Sequence, residues 1–227
     1  MLSFLKATPP SEGRRYVFIF TYGRSGSTLL SGLLNALPGC CIRGENYMAL
    51  AHLNAFYGSL KKSKAHMAKK SGQPTHPWYG VDDIDLASAR QKVRDLFVDE
   101  VLRPPQDAFV VGFKEIRINV TDIPDLDGFL DDLVEIFEDV KFVFNHRRIT
   151  DVAKSKWWGQ TLQSHARIHS MDMRLERSRH VGTDRVFQVY YERLVAEPQH
   201  AKELADFLGL AFSERTYRKV MSVRHSY

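Results

Sequence analysis

Four groups of residues in this chain have types and spacings suited to chemistry on an anion. The first is Gly23-Arg24-Ser25-Gly26-Ser27-Thr28. Its two glycines let the backbone approach a ligand, its hydroxyls add donors, and its guanidinium adds charge. The second is Arg147-Arg148-Ile149-Thr150-Asp151-Val152-Ala153-Lys154-Ser155, in which Arg147 and Ser155 offer one charged and one neutral donor to a compact phosphate. A register shift of one would put Arg148 there instead, and the serine spacing favours Arg147. The third is Glu45, after Arg43-Gly44, either a working carboxylate or a cap for the helix that follows. The fourth is Lys114-Glu115-Ile116-Arg117, where Lys114 ends an apolar run and Arg117 either meets an anion or pairs with Glu115.

The surrounding elements must bring these groups together. Tyr16-Val17-Phe18-Ile19-Phe20 is a charge-free run of aromatic and β-branched residues, the pattern of a strand buried on both faces. Beyond the glycine turn, Leu29, Leu30, Leu33, Leu34 and Leu37 recur at helical spacing. Strand, glycine turn and helix aim a helix N-terminus and several backbone N–H groups at an anion, so this is a phosphate loop. It is not the nucleoside-triphosphatase form GxxxxGK[ST]: two residues separate Gly23 from Gly26, and Ser27 stands where the lysine would be.

Further short apolar runs at residues 39–45, 108–114, 141–146 and 186–190 read as strands. Helices are expected over 46–60, 85–102, 129–137, from about 150 with Ser155 roughly two turns in, over 160–179, and over 192–210 with a proline interruption. The alternation implies an α/β fold: a three-layer, P-loop-type parallel sheet with helices on both faces. Ligands of such sheets sit at the carboxyl ends of the strands, where all four groups fall.

At these residues the sequence resembles the sulfotransferases that use the donor PAPS (3'-phosphoadenosine 5'-phosphosulfate). Arg24-Ser25-Gly26-Ser27-Thr28 matches their [RK]SG[ST][ST] loop, which cradles the 5'-phosphosulfate, and its arginine is that of the membrane-associated and bacterial branches. The family's R-x-x-x-D-x-x-x-S element is present from Arg147 to Ser155, with Ile149 where proline is usual; the resemblance gives it the 3'-phosphate. By the same resemblance Glu45 is the general base on the acceptor hydroxyl, since the alternative histidine position after Lys114 is occupied by Ile116. Lys114 then faces the transferring group. Tyr190-Tyr191-Glu192-Arg193-Leu194, Pro198 and Asp206-Phe207-Leu208-Gly209-Leu210 resemble the family's C-terminal segment, with Tyr191 beside the adenine and the residues from Ser222 to Tyr227 closing over the donor. The resemblance implies a sulfotransferase acting by in-line attack with PAPS as donor, no metal, and a hydroxyl acceptor, first a glycan or glycolipid.

With 227 residues, a net charge of +5 and 44% hydrophobic content, the chain reads as one globular domain, 1–227, suited to anionic ligands without calling for nucleic acid. Residues 1–15 are a lead-in, and 46–107 form a variable, acceptor-binding insertion. Cys40 and Cys41 are adjacent and do not form a disulfide framework. No apolar run reaches the roughly 20 residues of a membrane span, and the N-terminal stretch does not read as a secretory signal. A cytoplasmic protein is expected, free to touch the inner membrane surface through Lys61, Lys62, Lys64, Lys69 and Lys70. Trp157, Trp158 and His76 are candidate pocket walls, and His165 with His169 has a zinc-compatible spacing that lacks a third ligand. Two other readings are a small-molecule P-loop kinase, which would need magnesium, and a non-catalytic anion-binding module.

Overall fold

The computed structural model describes residues 13–67 and 72–223. Five parallel strands form one sheet in the order β2-β3-β1-β4-β5, comprising β1 (Arg15–Phe20), β2 (Cys40–Arg43), β3 (Val110–Glu115), β4 (Val140–His146) and β5 (Val186–Tyr190). The central strand β1 pairs Arg15 with Val110 on one side and Tyr16 with Val140 on the other.

Alternation along β1 sends Phe18 and Phe20 to one face and Val17 and Ile19 to the other, and the two faces build different cores. The first is aromatic: Phe18 and Phe20 meet Phe113, Phe137 and Phe142 in tilted and edge-on contacts. It is covered by α2 (Ala49–Met67), α3 (Leu86–Leu96, continued by a wider turn over Phe97–Leu102), α4 (Leu126–Ile136) and α6 (Leu162–Glu176). The second is aliphatic, filled by α1 (Ser27–Asn35) and α8 (Pro198–Leu208), with α9 (Glu214–Met221) beside them. Leu30, Leu33 and Leu204 are at most 1% exposed there, each worth about 1.5–3 kcal/mol of burial. Gly112 is fixed by β1: a Cβ at this position would lie 1.6 Å from the Val17 carbonyl oxygen.

This is the P-loop-type α/β sheet with helices on both faces that the alternation implied. Two local readings change, and the proline interruption expected within 192–210 is present as a full break. The helix after β4, α5 (Ile149–Ala153), is five residues long, and a 3-10 turn over Lys156–Trp158 follows it. The C-terminal helix is two, because Glu197 leaves helical geometry ahead of Pro198: α7 (Tyr191–Ala196) and then α8. The second helix runs past residue 60, and within it Lys61 is no free surface cation, since it bonds Asp132 (2.5 Å) and Glu135 (2.9 Å) of α4. Lys64 donates to the Ile84 carbonyl, and Lys69 and Lys70 lie outside the described residues. No described helix is long and apolar enough to cross a membrane.

Candidate active site

All five strands present their carboxyl ends to one side, where the four groups meet. From β1 the chain enters the loop through Thr21 and Tyr22, both fully buried. Gly23 lies under the Trp157 ring, 2.1 Å from where a Cβ would stand. Gly26 has φ 86° and would put a Cβ 2.2 Å from the Tyr191 ring, so geometry and space both require glycine. Gly26 also caps α1 without a side-chain hydrogen bond, leaving the first-turn amides available to an anion. Arg24, at φ 68°, stands exposed at the tip of the turn.

Ser25 is placed differently from Ser27 and Thr28. Its side chain is fully buried, with Oγ 2.7 Å from Thr21 Oγ1, and its carbonyl accepts from Asn145 Nδ2 at 3.1 Å. The expectation that its hydroxyl meets a ligand does not match this placement: Ser25 ties the loop to β4.

Around Glu45 the charges interlock. Lys114 Nζ donates to Glu45 Oε1 at 2.5 Å, and Arg117 reaches Glu45 Oε2 at 3.4 Å and Glu115 Oε1 at 3.2 Å. Glu45 does not cap the following helix; Asn46 Oδ1 does so, accepting from Ala49 N at 3.0 Å. Glu115, 1% exposed, also accepts from the backbone amides of Met48 (3.1 Å), Ile116 (2.9 Å) and Arg117 (3.2 Å). Tyr47 and Met48 both hold left-handed backbone, at φ 57° and 64°, a strained pair for non-glycine residues. The bond from Met48 to Glu115 holds that bend, and with it the position of Glu45. The sequence assigns Glu115 only a pairing role; the signal is a carboxylate that follows Lys114 at the end of an apolar strand.

Arg147 leaves β4 toward the loop. It donates to the Arg24 carbonyl at 3.0 Å, stacks its guanidinium 4.2 Å above the Tyr191 ring, and has a buried Nε without a hydrogen-bond partner among the described residues. Arg148 points outward to Asp151 at 3.2 Å. Lys154 also donates to Asp151, the largest cause holding that carboxyl below its ordinary range. Ser155 does not line the cleft. Because α5 stops at Ala153, Ser155 caps the next turn instead, its Oγ accepting from Trp157 N at 3.4 Å. Beneath Arg147, Asp172 Oδ1 accepts from Tyr22 at 2.9 Å and lies 2.8 Å from His146 Nδ1, a buried link that sequence reading missed. Burial, and then Asp172, hold the Tyr22 phenol far above its usual range, so it remains a donor.

The result is an open cleft of about 1000 Å³. Gly23, Arg24, Gly26, Ser27 and Thr28 form its floor, and Glu45, Lys114, Arg117, Arg147 and Tyr191 stand around it. A second cavity of about 550 Å³ adjoins it, sharing Ile116, Arg117 and Trp157. Of residues 46–107, Tyr47 reaches this second cavity, while α2 packs against α4 through Tyr57, Asn54 and Lys61. Trp157 lines both cavities, and Trp158 donates to the Gly23 carbonyl at 2.9 Å. His76 lines neither; its Nδ1 accepts from Trp78 N within its own loop. His165 and His169 gain no third ligand: among the described residues the one metal-compatible grouping is His146, Asp172 and Glu176. Of the segment expected to close over the donor, residues 224–227 lie outside the described residues, and Val223 borders the cleft beside Met221 of α9.

Comparison with known proteins bears on the fold and the family. A similar fold occurs in the sulfotransferase domain of the Synechococcus PCC 7002 olefin synthase, at 21% identity and a TM-score of 0.57 over 96% of this chain and 82% of that one. A sulfotransferase domain from the curacin biosynthetic pathway aligns at 18% identity and a TM-score of 0.46, over 91% and 77% of the two chains. No curated protein sequence matches. The profile of the sulfotransferase family matches residues 16–214, the span that contains the loop, Glu45, the strand-end cations and Tyr191, and the chain belongs to that family.

Proposed function

We propose that this protein transfers the sulfuryl group of PAPS to a hydroxyl acceptor, with Glu45 as general base. The observation that carries this is Glu45 between Lys114 and Arg117 on the wall of a cleft whose floor is an uncapped helix start. The residues present fit a nucleotide with phosphate at two positions. Arg24 and the α1 amides are suited to the 5'-phosphosulfate, and Arg147, whose guanidinium borders the cleft beside Tyr191, to the 3'-phosphate. The donor supplies an activated sulfuryl group and leaves as adenosine 3',5'-bisphosphate.

The chain's own residues then divide the work. Glu45 takes the proton of the acceptor hydroxyl as that oxygen attacks in line, because a neutral alcohol is a weak nucleophile. Lys114, 8% exposed and anchored on β3, stabilises negative charge passing from acceptor to leaving group without reorganising. Gly23 and Gly26 keep the loop backbone close enough for its amides to act. Among hydroxyl acceptors a glycan is the first candidate.

The test is calorimetry with adenosine 3',5'-bisphosphate and with 5'-AMP, both without added metal. A charge-assisted contact to the 3'-phosphate is worth on the order of 1.5–3 kcal/mol, so the bisphosphate should bind about ten- to a hundredfold more tightly. Equal affinities would remove Arg147 from the site and PAPS from the reading.

A further inference from the structure

The second cavity holds an arrangement that donor binding leaves unused. Two large aromatic side chains are exposed on its walls, Tyr47 at 77% and Trp157 at 60%. Neither is loose. Trp157 rests on Gly23 and meets Trp158 edge-on at 4.7 Å, and Tyr47 is covered by the Arg117 guanidinium at 4.4 Å. Exposed rings at the mouth of a pocket, each backed by a neighbour on one side, are surfaces for stacking. The cavity volume of about 550 Å³ suits a small molecule rather than a folded partner.

Charge on the walls is equally uneven. Arg117 is engaged by Glu45 and Glu115, and Asp122, the carboxylate on the cavity's wall, accepts from Asn119 at 2.6 Å and keeps its charge. Arg167 of α6 has no carboxylate partner among the described residues; its contact is with the Trp158 ring, 6.0 Å away. A ligand stacked on Trp157 in this cavity shares its walls with Arg167 and with Arg117, and Arg117 and Trp157 also border the cleft that holds Glu45.

We infer that this cavity is the acceptor site and that the acceptor is a hydroxyl-bearing ring carrying an acidic group, its ring against Trp157 and Tyr47 and its anion at Arg167. The inference rests on the sulfotransferase reading for the identity of the reacting hydroxyl. A phenolic acid and a sugar acid share this chemistry.

Protein saturated with adenosine 3',5'-bisphosphate is titrated with 4-hydroxybenzoate and glucuronate, and with their neutral counterparts 4-hydroxybenzyl alcohol and methyl glucoside, read by calorimetry and tryptophan fluorescence. At least one acid should bind about tenfold more tightly than its neutral counterpart, and which acid it is separates the phenolic from the sugar source. Arg167→Ala should erase that preference and leave nucleotide affinity unchanged; Tyr47→Ala should weaken acid and neutral ring alike. Acid and neutral probes binding equally, neither acid binding, or a preference that survives Arg167→Ala would each overturn the assignment. Failure of the nucleotide itself to bind would strike the donor reading instead, and the same four probes titrated into nucleotide-free protein would still decide the acceptor site.

Discussion

Glu45 and Glu115 are carboxylates that share Arg117 Nη1 and differ in exposure, and substitution separates their roles. Glu45 is partly open to solvent and Arg117 keeps Glu115 as a partner, while buried Lys114 needs an acceptor that a glutamine at position 45 still supplies. Glu45→Gln should therefore melt normally and bind adenosine 3',5'-bisphosphate normally, while single-turnover transfer falls by about 10² to 10⁴, the usual worth of a positioned base. Near-normal transfer would take Glu45 out of the mechanism. Glu115 is buried and holds three backbone amides as well as Arg117. Glu115→Gln removes the charge from those bonds and should cost about 1–3 kcal/mol of stability, visible as an earlier urea midpoint. Its transfer rate should also drop, because the bend at Tyr47 and Met48 that places Glu45 loses its anchor. A variant of unchanged midpoint and rate would show that the bend supports itself.

At the scale of elements, the loop and the first turn of α1 act as one piece, held from outside by Trp157, Tyr191 and Arg147. Gly26→Ala tests this directly. The left-handed backbone alone costs about 1–2 kcal/mol for a residue with a Cβ, and the new methyl must displace the Tyr191 ring on which Arg147 stacks. Nucleotide affinity should fall more than tenfold in calorimetry, together with a lower melting temperature; full affinity would mean that Tyr191 and Arg147 contribute little to the grip. This piece was readable in the sequence because its signals are local: an apolar run, two glycines, and leucines at helical spacing. Ser155 stands elsewhere than its spacing from Arg147 on a continuous helix would put it, because α5 stops after one turn and the two tryptophans that follow turn toward Gly23. Glu115 and Asp172 left only weak local signs, since their partners Met48 and Tyr22 lie far away in the chain and meet them only once the sheet has formed.

At the scale of the molecule, His200 joins α8 to the end of β5. Its Nε2 accepts from Tyr190 N at 3.3 Å, which requires the neutral ring, and burial pushes its pKa below the ordinary histidine value. The unfolded chain, with a histidine pKa near about 6.5, thus takes up this proton first as the pH falls. The stability His200 contributes is fully present above that value and is lost progressively as pH drops through the lower, folded one. His200→Gln should flatten this part of the stability curve below about pH 6.5 relative to the parent protein, measured by urea unfolding across pH. Identical slopes would mean that His200 is not a source of acid sensitivity.

The strand order has a further consequence, in the time course of folding. The strand that carries the phosphate loop is synthesised before both of its neighbours, and its pairings, Arg15 with Val110 and Tyr16 with Val140, are among the most distant in the chain. Such contacts close slowly, because a long loop must be ordered before any pairing is gained. During synthesis β1 waits with two open edges and a bare Phe18–Phe20 face, the kind of surface that chaperones cover. Asn145, which ties down Ser25, belongs to β4 and arrives later still. The phosphate loop is therefore among the first parts of the site to be made and among the last to become rigid.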